Sequence, residues 1–257
     1  MRAALVQMDL AWEEWPANHA RAAQHLKRAA DAGADLAILP EMFASGFSMN
    51  VAKTAQPPGG PTEQWLRGMA RGLGLSLLAG VAETGAPLPV NSALLVSPEG
   101  EVRRYHKIHP FSYAGEERVF GGGSRVVTWE IAGARVTPLV CYDLRFPEPF
   151  RLAASETDVY AVIANWPDRR RTHWQTLLRA RAIENQAFVL GVNRVGDGDG
   201  IHYAGDSAAI SPWGETLASA AEIETVLMVD LDPKEVESSR ARFSALRDRR
   251  PDAYVRG

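Results

Sequence analysis

The strongest constraint on this chain is an alternation of two patterns. Short apolar runs, too brief for helices, are separated by longer stretches with helical spacing of apolar residues. Residues 3–8, 36–39, 75–81, 134–140, 159–164, 187–192, 207–210 and 225–230 read as strands. Ser97-Pro98-Glu99-Gly100 supplies the turn dihedrals for a hairpin joining 91–96 to 101–105. Between the strands, Asn18 is expected to cap a helix that stops at Gly33. Pro61 is expected to open a second, with Trp65, Leu66, Met69 and Leu73 on one face. Further helices are expected over 148–155, over 173–185 behind a Thr172 cap, and from Pro233 onward. Strands whose faces are covered by helices make an α/β fold. No linker or strong repeat divides residues 1–257, which therefore read as a single domain. The arginine-rich tail, from about 240 to Arg256, reads as a solvated face or a subunit contact.

Composition excludes several classes of function. A 257-residue chain that is 46% hydrophobic buries a sizeable core and is not disordered. Its net charge of −3 offers no basic footprint for nucleic acid or an anionic membrane. The longest uncharged run, residues 84–98, is interrupted by Pro87 and Pro89 and is too short to span a bilayer. Asp9, Glu13 and Glu14 break any signal-peptide pattern, so a cytoplasmic chain starting at Met1 is expected. Cys141 is the only cysteine, which excludes an internal disulfide and a cysteine-rich zinc site. No dinucleotide fingerprint, phosphate loop or G-x-S-x-G elbow occurs. Asp197-Gly198-Asp199-Gly200 resembles a calcium loop only superficially, because Ile201 and Ala208 stand where ligands are needed. No metal or organic cofactor is expected.

Three apolar runs end on a reactive polar residue. Leu36-Ala37-Ile38-Leu39-Pro40 leads to Glu41, Val102-Arg103-Arg104-Tyr105-His106 to Lys107, and Val136-Thr137-Pro138-Leu139-Val140 to Cys141. Strand ends are where α/β folds build their sites. Taken singly, each has a plain explanation: an ion-paired carboxylate, a surface lysine, a small buried thiol.

Taken together with their neighbours, these stretches resemble the nitrilase (carbon–nitrogen hydrolase) superfamily across nearly the whole chain. The motifs are Leu39-Pro40-Glu41, Tyr105-His106-Lys107, Cys141-Tyr142-Asp143-Leu144-Arg145-Phe146-Pro147-Glu148 and Ala180-Arg181-Ala182-Ile183-Glu184-Asn185-Gln186. Ala164-Asn165-Trp166-Pro167 with Arg170 and Trp174, and Gly205-Asp206-Ser207, are similar to the omega-amidase branch. One departure is His109-Pro110-Phe111, where many relatives read His-Leu-Phe, so the loop up to Glu116 is expected to differ in shape. The resemblance implies an α-β-β-α sandwich, a homodimer formed through its helical face, and amide hydrolysis through a cysteine thioester.

In that chemistry Cys141 is the nucleophile, Glu41 the base and acid, and Lys107 the partner of the oxyanion. A free thiol has a pKa near ~8.5, so it needs a neighbouring base or cation at neutral pH. The backbone N–H of Tyr142 is the natural second oxyanion donor. A supporting carboxylate is implied on the following loop, with Glu116 preferred to Glu117. The implied substrate is a small amide, the ω-amide of a short 2-oxo dicarboxylate, such as 2-oxoglutaramate or 2-oxosuccinamate. Arg145 and Arg170 are candidates to clamp its far carboxylate, and Phe47 and Trp166 to wall the pocket. Rival readings are an N-carbamoyl amino-acid amidohydrolase, an aliphatic amidase, a cysteine redox sensor and a catalytically silent scaffold. A further rival is a Cys–His hydrolase using His106, His109, His173 or His202.

Overall fold

The computed structural model describes residues 1–254. Thirteen strands and six α-helices follow one another along the chain. The first half carries β1 (Arg2–Gln7), α1 (Trp15–Asp31), β2 (Leu36–Ile38), α2 (Val51–Thr54), α3 (Pro61–Leu73), β3 (Ser76–Glu83), β4 (Val90–Val96) and β5 (Val102–His106). The second carries β6 (Trp129–Ile131), β7 (Ala134–Val140), α4 (Pro147–Ala153), β8 (Val159–Ala164), α5 (Arg171–Asn185), β9 (Phe188–Asn193), β10 (Val195–Gly198), β11 (Ile201–Ile210), β12 (Thr216–Ala221), β13 (Thr225–Asp230) and α6 (Pro233–Arg242).

These form two mixed sheets. One runs β13-β1-β2-β3-β4-β5 and the other β10-β11-β9-β8-β7-β6, with β12 paired to β11. Period-two alternation fixes how they stack. Ala3 and Leu5 of β1, Leu36 and Ile38 of β2, and Ala93 and Leu95 of β4 join a core with the second sheet. Their neighbours Ala4, Val6, Ala37, Leu94 and Val96 face the other way, into a core with Leu26 and Ala29 of α1 and Leu66 and Ala70 of α3. On the far side, Trp174, Leu178 and Ala182 of α5 and Phe150 of α4 close over β7, β8 and β9. The result is the expected α-β-β-α sandwich. No helix among the described residues is long and apolar enough to cross a membrane.

The structure corrects several local expectations. Asn18 does not cap α1. It lies buried one turn inside, where its amide holds the Ala11 N–H and the Ala11 and Ala44 carbonyls. Thr172 is likewise within α5, whose cap position is Arg170. Strands β6, β10 and β12 are additional, and β11 begins at Ile201 rather than at 207. The calcium-like stretch is a hairpin turn: Asp199 (φ 50°) and Gly200 (φ 71°) are both left-handed, as a tight two-residue turn requires. Arg240 is only half-exposed, because its guanidinium donates to the carbonyls of Thr157, Asn185 and Gln186, where α5 ends. Arg256 lies outside the described residues.

One glycine positions the functional end of the first sheet. A Cβ at Gly80 of β3 would stand 2.4 Å from the Glu41 Cα, so only glycine lets β3 approach there. Gly80→Ala should therefore lower stability by about 1–3 kcal/mol through overpacking, measured by denaturant unfolding. Gly68→Ala, on the exposed face of α3 with open space around it, should instead raise stability by about 0.5–1 kcal/mol. Equal effects at the two sites would contradict this packing account.

Candidate active site

Strands from both sheets end at one place. β2, an interior strand of the first sheet, runs through Leu39 and Pro40 to Glu41 at its carboxyl end, and β5 delivers Lys107 beside it. β7 and β8 are parallel neighbours in the second sheet, ending at Cys141 and Asn165. Asn165 joins the two sheets: its backbone N–H donates to Glu41 Oε2 at 2.8 Å, and its amide donates to the Glu41 carbonyl. The site lies at carboxyl ends of parallel strands, where peptide ends face outward from the sheets.

Glu41, Lys107 and Glu116 are essentially inaccessible to solvent. Lys107 Nζ donates to Glu41 Oε1 at 2.9 Å and to Glu116 Oε2 at 2.8 Å. Asn91 ties the same two carboxylates together, its Nδ2 lying 2.8 Å from Glu41 Oε1 and 2.9 Å from Glu116 Oε1. Phe111 N–H donates to Glu116 Oε2 at 2.6 Å. Burial alone would discharge the ammonium, but the Glu116 and Glu41 charges overcome it and push the Lys107 pKa upward. Glu117 is exposed and pairs loosely with Arg118. Removing one member of such a buried set leaves an uncompensated charge, typically worth ~3–5 kcal/mol.

Cys141 is buried and adopts a left-handed backbone (φ 46°) as β7 gives way to a 3-10 turn over Cys141–Arg145. The turn is anchored through Asp143. Its carboxylate accepts from the Tyr105 hydroxyl at 2.7 Å, the Val140 N–H at 3.1 Å and the His109 N–H at 3.0 Å. Arg181 of α5 secures the far side through the Leu144 carbonyl, which accounts for one polar residue of the 180–186 motif. Tyr142 is the turn's second residue, a position whose N–H has no acceptor within the turn. Burial, then the Glu41 charge, pushes the Cys141 thiol well above its ordinary range, with Lys107 only partly opposing them. The resting group is thus a thiol, and Lys107, already neutralised by two carboxylates, does not ionise it. No histidine hydrogen bond reaches Cys141: His106 meets Ser92, His109 meets Asp143, His173 meets Arg145, and His202 meets Asp197 and Glu222.

Beside Cys141 is a cavity that includes Phe47, Tyr142, Arg145, Trp166 and Arg170 in its lining, bringing the expected substrate residues together. Phe111, Arg169, Ile201 and Tyr203 also line it and were not expected there. Arg145 packs over the Trp166 ring (4.9 Å) and Arg170 over the Phe111 ring (5.2 Å). Phe47 lies beneath the Lys107 ammonium, 5.1 Å from Nζ to the ring centre. The lining includes Arg145, Arg169 and Arg170 but no carboxylate, and none of these arginines pairs with an acidic side chain among the described residues. Burial and the neighbouring Arg169 charge lower the Arg170 pKa, the behaviour of a cation that lacks a counter-ion. Asp206 and Ser207 serve structure instead. Asp206 holds Arg171 at 2.6 Å, and the Ser207 N–H donates to Gln7.

The raised thiol pKa sets a measurable pH dependence. Because the neutral form is favoured, the thiolate fraction stays small through pH ~8.5, where an ordinary cysteine is half ionised. The iodoacetamide labelling rate, followed by intact mass as one adduct on Cys141, should therefore keep rising above that pH. A plateau below pH ~8 would contradict the electrostatics described above.

Residues 2–241 match the Carbon-nitrogen hydrolase family. The chain is 40% identical over 252 residues to the omega-amidase YafV of Escherichia coli (strain K12), covering 96% of each sequence. It is 31% identical over 253 residues to the 2-oxoglutaramate amidase of Bacillus subtilis (strain 168), covering 97% of each. Among solved structures, it is similar to XC1258 from Xanthomonas campestris, a CN-hydrolase superfamily protein with an arsenic adduct in its active site. That likeness has a TM-score of 0.93 at 37% identity and covers 100% of this chain and 99% of the other. With its sandwich fold and these relatives, the chain belongs to the carbon–nitrogen hydrolase family, in its omega-amidase branch, and is a hydrolase acting on carbon–nitrogen bonds.

Proposed function

We propose that this chain, as one carbon–nitrogen hydrolase domain, cleaves the terminal amide of a short 2-oxo dicarboxylic acid monoamide. 2-Oxoglutaramate and 2-oxosuccinamate are the intended substrates, and the products are the 2-oxo acid and ammonia. The observation that carries this reading is the charge of the cavity: three arginines without acidic partners beside a buried thiol. An amide bearing a distant carboxylate satisfies those cations, and a guanidinium binds a carboxylate in a directed, bidentate way. A neutral aliphatic amide leaves them unmet. The relatives named omega-amidase and 2-oxoglutaramate amidase support the same substrate class.

The chemistry follows from the groups at hand. The Cys141 sulfur attacks the amide carbon while its proton passes to Glu41, whose described partners are all N–H donors. Negative charge gathers on the carbonyl oxygen, where the Lys107 ammonium and the Tyr142 N–H stabilise it; one such donor typically contributes ~2.7–4 kcal/mol. Collapse breaks the carbon–nitrogen bond as Glu41 returns the proton to nitrogen, giving ammonia and a thioester. Water then attacks the thioester, yielding its proton to Glu41, and a second collapse releases the acid and returns that proton to sulfur. Glu116 holds Lys107 in place throughout. A silent scaffold has no physical use for a buried lysine between two carboxylates, which is expensive to desolvate. A redox thiol is favoured by a lowered pKa, the reverse of the direction found here.

A homodimer and a cytoplasmic setting complete the proposal. Exposed Leu152, Ile183, Trp213 and Phe243 lie on or near the α4, α5 and α6 side, an apolar set suited to a second copy. A reducing compartment keeps a thiol nucleophile free.

Ammonia release from 2-oxoglutaramate, N-carbamoyl-β-alanine and propionamide tests this reading. The 2-oxo acid amide should give the highest kcat/KM. Arg170→Leu should lower that value by about 10- to 100-fold through loss of a charged hydrogen bond, chiefly in KM, while sparing propionamide. Lys107→Ala should lower kcat by ~10²–10³ on every substrate. Preference for propionamide, or for the N-carbamoyl compound, would overturn the assignment.

A further inference from the structure

Tyr203 stands out among the buried tyrosines. The Tyr105 hydroxyl donates to Asp143 and the Tyr160 hydroxyl to the Phe150 carbonyl, as buried phenols ordinarily do. Tyr203 is only 2% exposed and lines the cavity next to Cys141 and Arg170, yet its hydroxyl has no hydrogen-bond partner among the described residues. Nor is that oxygen sealed away from solvent, and the Tyr203 side chain lines the cavity. The ring is fixed from behind. The Arg194 guanidinium lies over it at 4.5 Å, itself fully buried and held by Asp9 at 2.8 Å and the carbonyls of Leu10 and Asp197. The hydroxyl is thus a fixed donor beside the cavity with no acceptor among the described residues. Burial, opposed by the Arg194 charge and aided by that of Glu41, pushes its pKa up to about 12, so it remains protonated at any working pH.

Given the proposed substrate class, we infer that Tyr203 is the residue that recognises the 2-oxo group, its hydroxyl donating a hydrogen bond to the keto oxygen beside the far carboxylate. The inference rests on that reading of the site. With the amide carbon at Cys141 and the carboxylate at the arginines, the keto oxygen is the remaining acceptor on the chain between them. Arg170 and Tyr203 line the same cavity, which fits a carboxylate and a keto oxygen being bound side by side. A site built to donate to an oxygen discriminates against the analogue that lacks it, because the donor is then left unpaired.

The test compares 2-oxoglutaramate with glutaramate, which has a methylene in place of the keto carbon. Tyr203→Phe keeps the ring over Arg194 and removes one oxygen. It should lower kcat/KM for 2-oxoglutaramate by about three- to tenfold, the range of one neutral hydrogen bond, and leave glutaramate within about twofold. Equal losses on both, or no loss on either, would overturn the inference while leaving the amidase reading intact. Inactivity of the unaltered protein toward both amides would instead overturn the amidase reading and this inference with it. A second measurement needs no variant: 2-oxoglutarate should inhibit the unaltered protein more strongly than glutarate, and equal inhibition would count against Tyr203 as the selector.

Discussion

A lysine ammonium with no access to water, gripped by Glu41 on one side and Glu116 on the other, governs the rest of this site. Such a cation persists only because both carboxylates are within hydrogen-bond range, and each carboxylate in turn depends on the lysine. The three residues come from the exits of β2 and β5 and from the loop after β5, so the ion set fixes those segments against one another. Asn91 completes the frame by donating to both acids. The same neutralisation limits what Lys107 can do for the nearby thiol. Its charge is already shared, and Cys141 remains protonated at rest. In the proposed mechanism nucleophilicity is therefore generated in the reaction itself, through proton transfer to Glu41.

The second sheet supplies what the first lacks. β7 leads into a strained residue, Cys141, and a tight turn whose first backbone N–H groups have no acceptor within the turn. Asn165 links that edge to Glu41, so Cys141 and Glu41 are registered across the sheet interface rather than along either sheet. The cavity in front is lined by rings that carry guanidinium groups, Trp166 under Arg145 and Phe111 under Arg170. Stacking holds these cations in place without neutralising them.

Much of this was legible in the chain because buried strands leave a plain trace. Strand ends marked Glu41, Lys107 and Cys141 as candidates, their motif neighbours set them apart from ordinary buried residues, and β7 and β8 fall on the expected residues. What escaped were features set by tertiary contact. Asn91 looks like an ordinary polar residue at a strand start, and only the fold brings two carboxylates to its amide. Tyr203 lies in a stretch whose glycines and aspartates read as loop, although Asp199-Gly200 closes a hairpin there. β12, the sequence Thr-Leu-Ala-Ser-Ala-Ala, has little strand propensity and forms by pairing with β11. Asn18 has the composition of a cap, yet buried carbonyls claim its amide, and Pro16 lets the helix start earlier.

The central claim is that Cys141 carries the acyl group and that Glu41 moves the proton. Rapid-quench intact-mass analysis during turnover of 2-oxoglutaramate tests it most directly. The account predicts a transient adduct on Cys141 equal to the substrate less ammonia, which accumulates further in Glu41→Gln if hydrolysis of the thioester is the step slowed more. Steady ammonia release with no acyl adduct at any time in either protein, or undiminished turnover by folded Glu41→Gln, would contradict it.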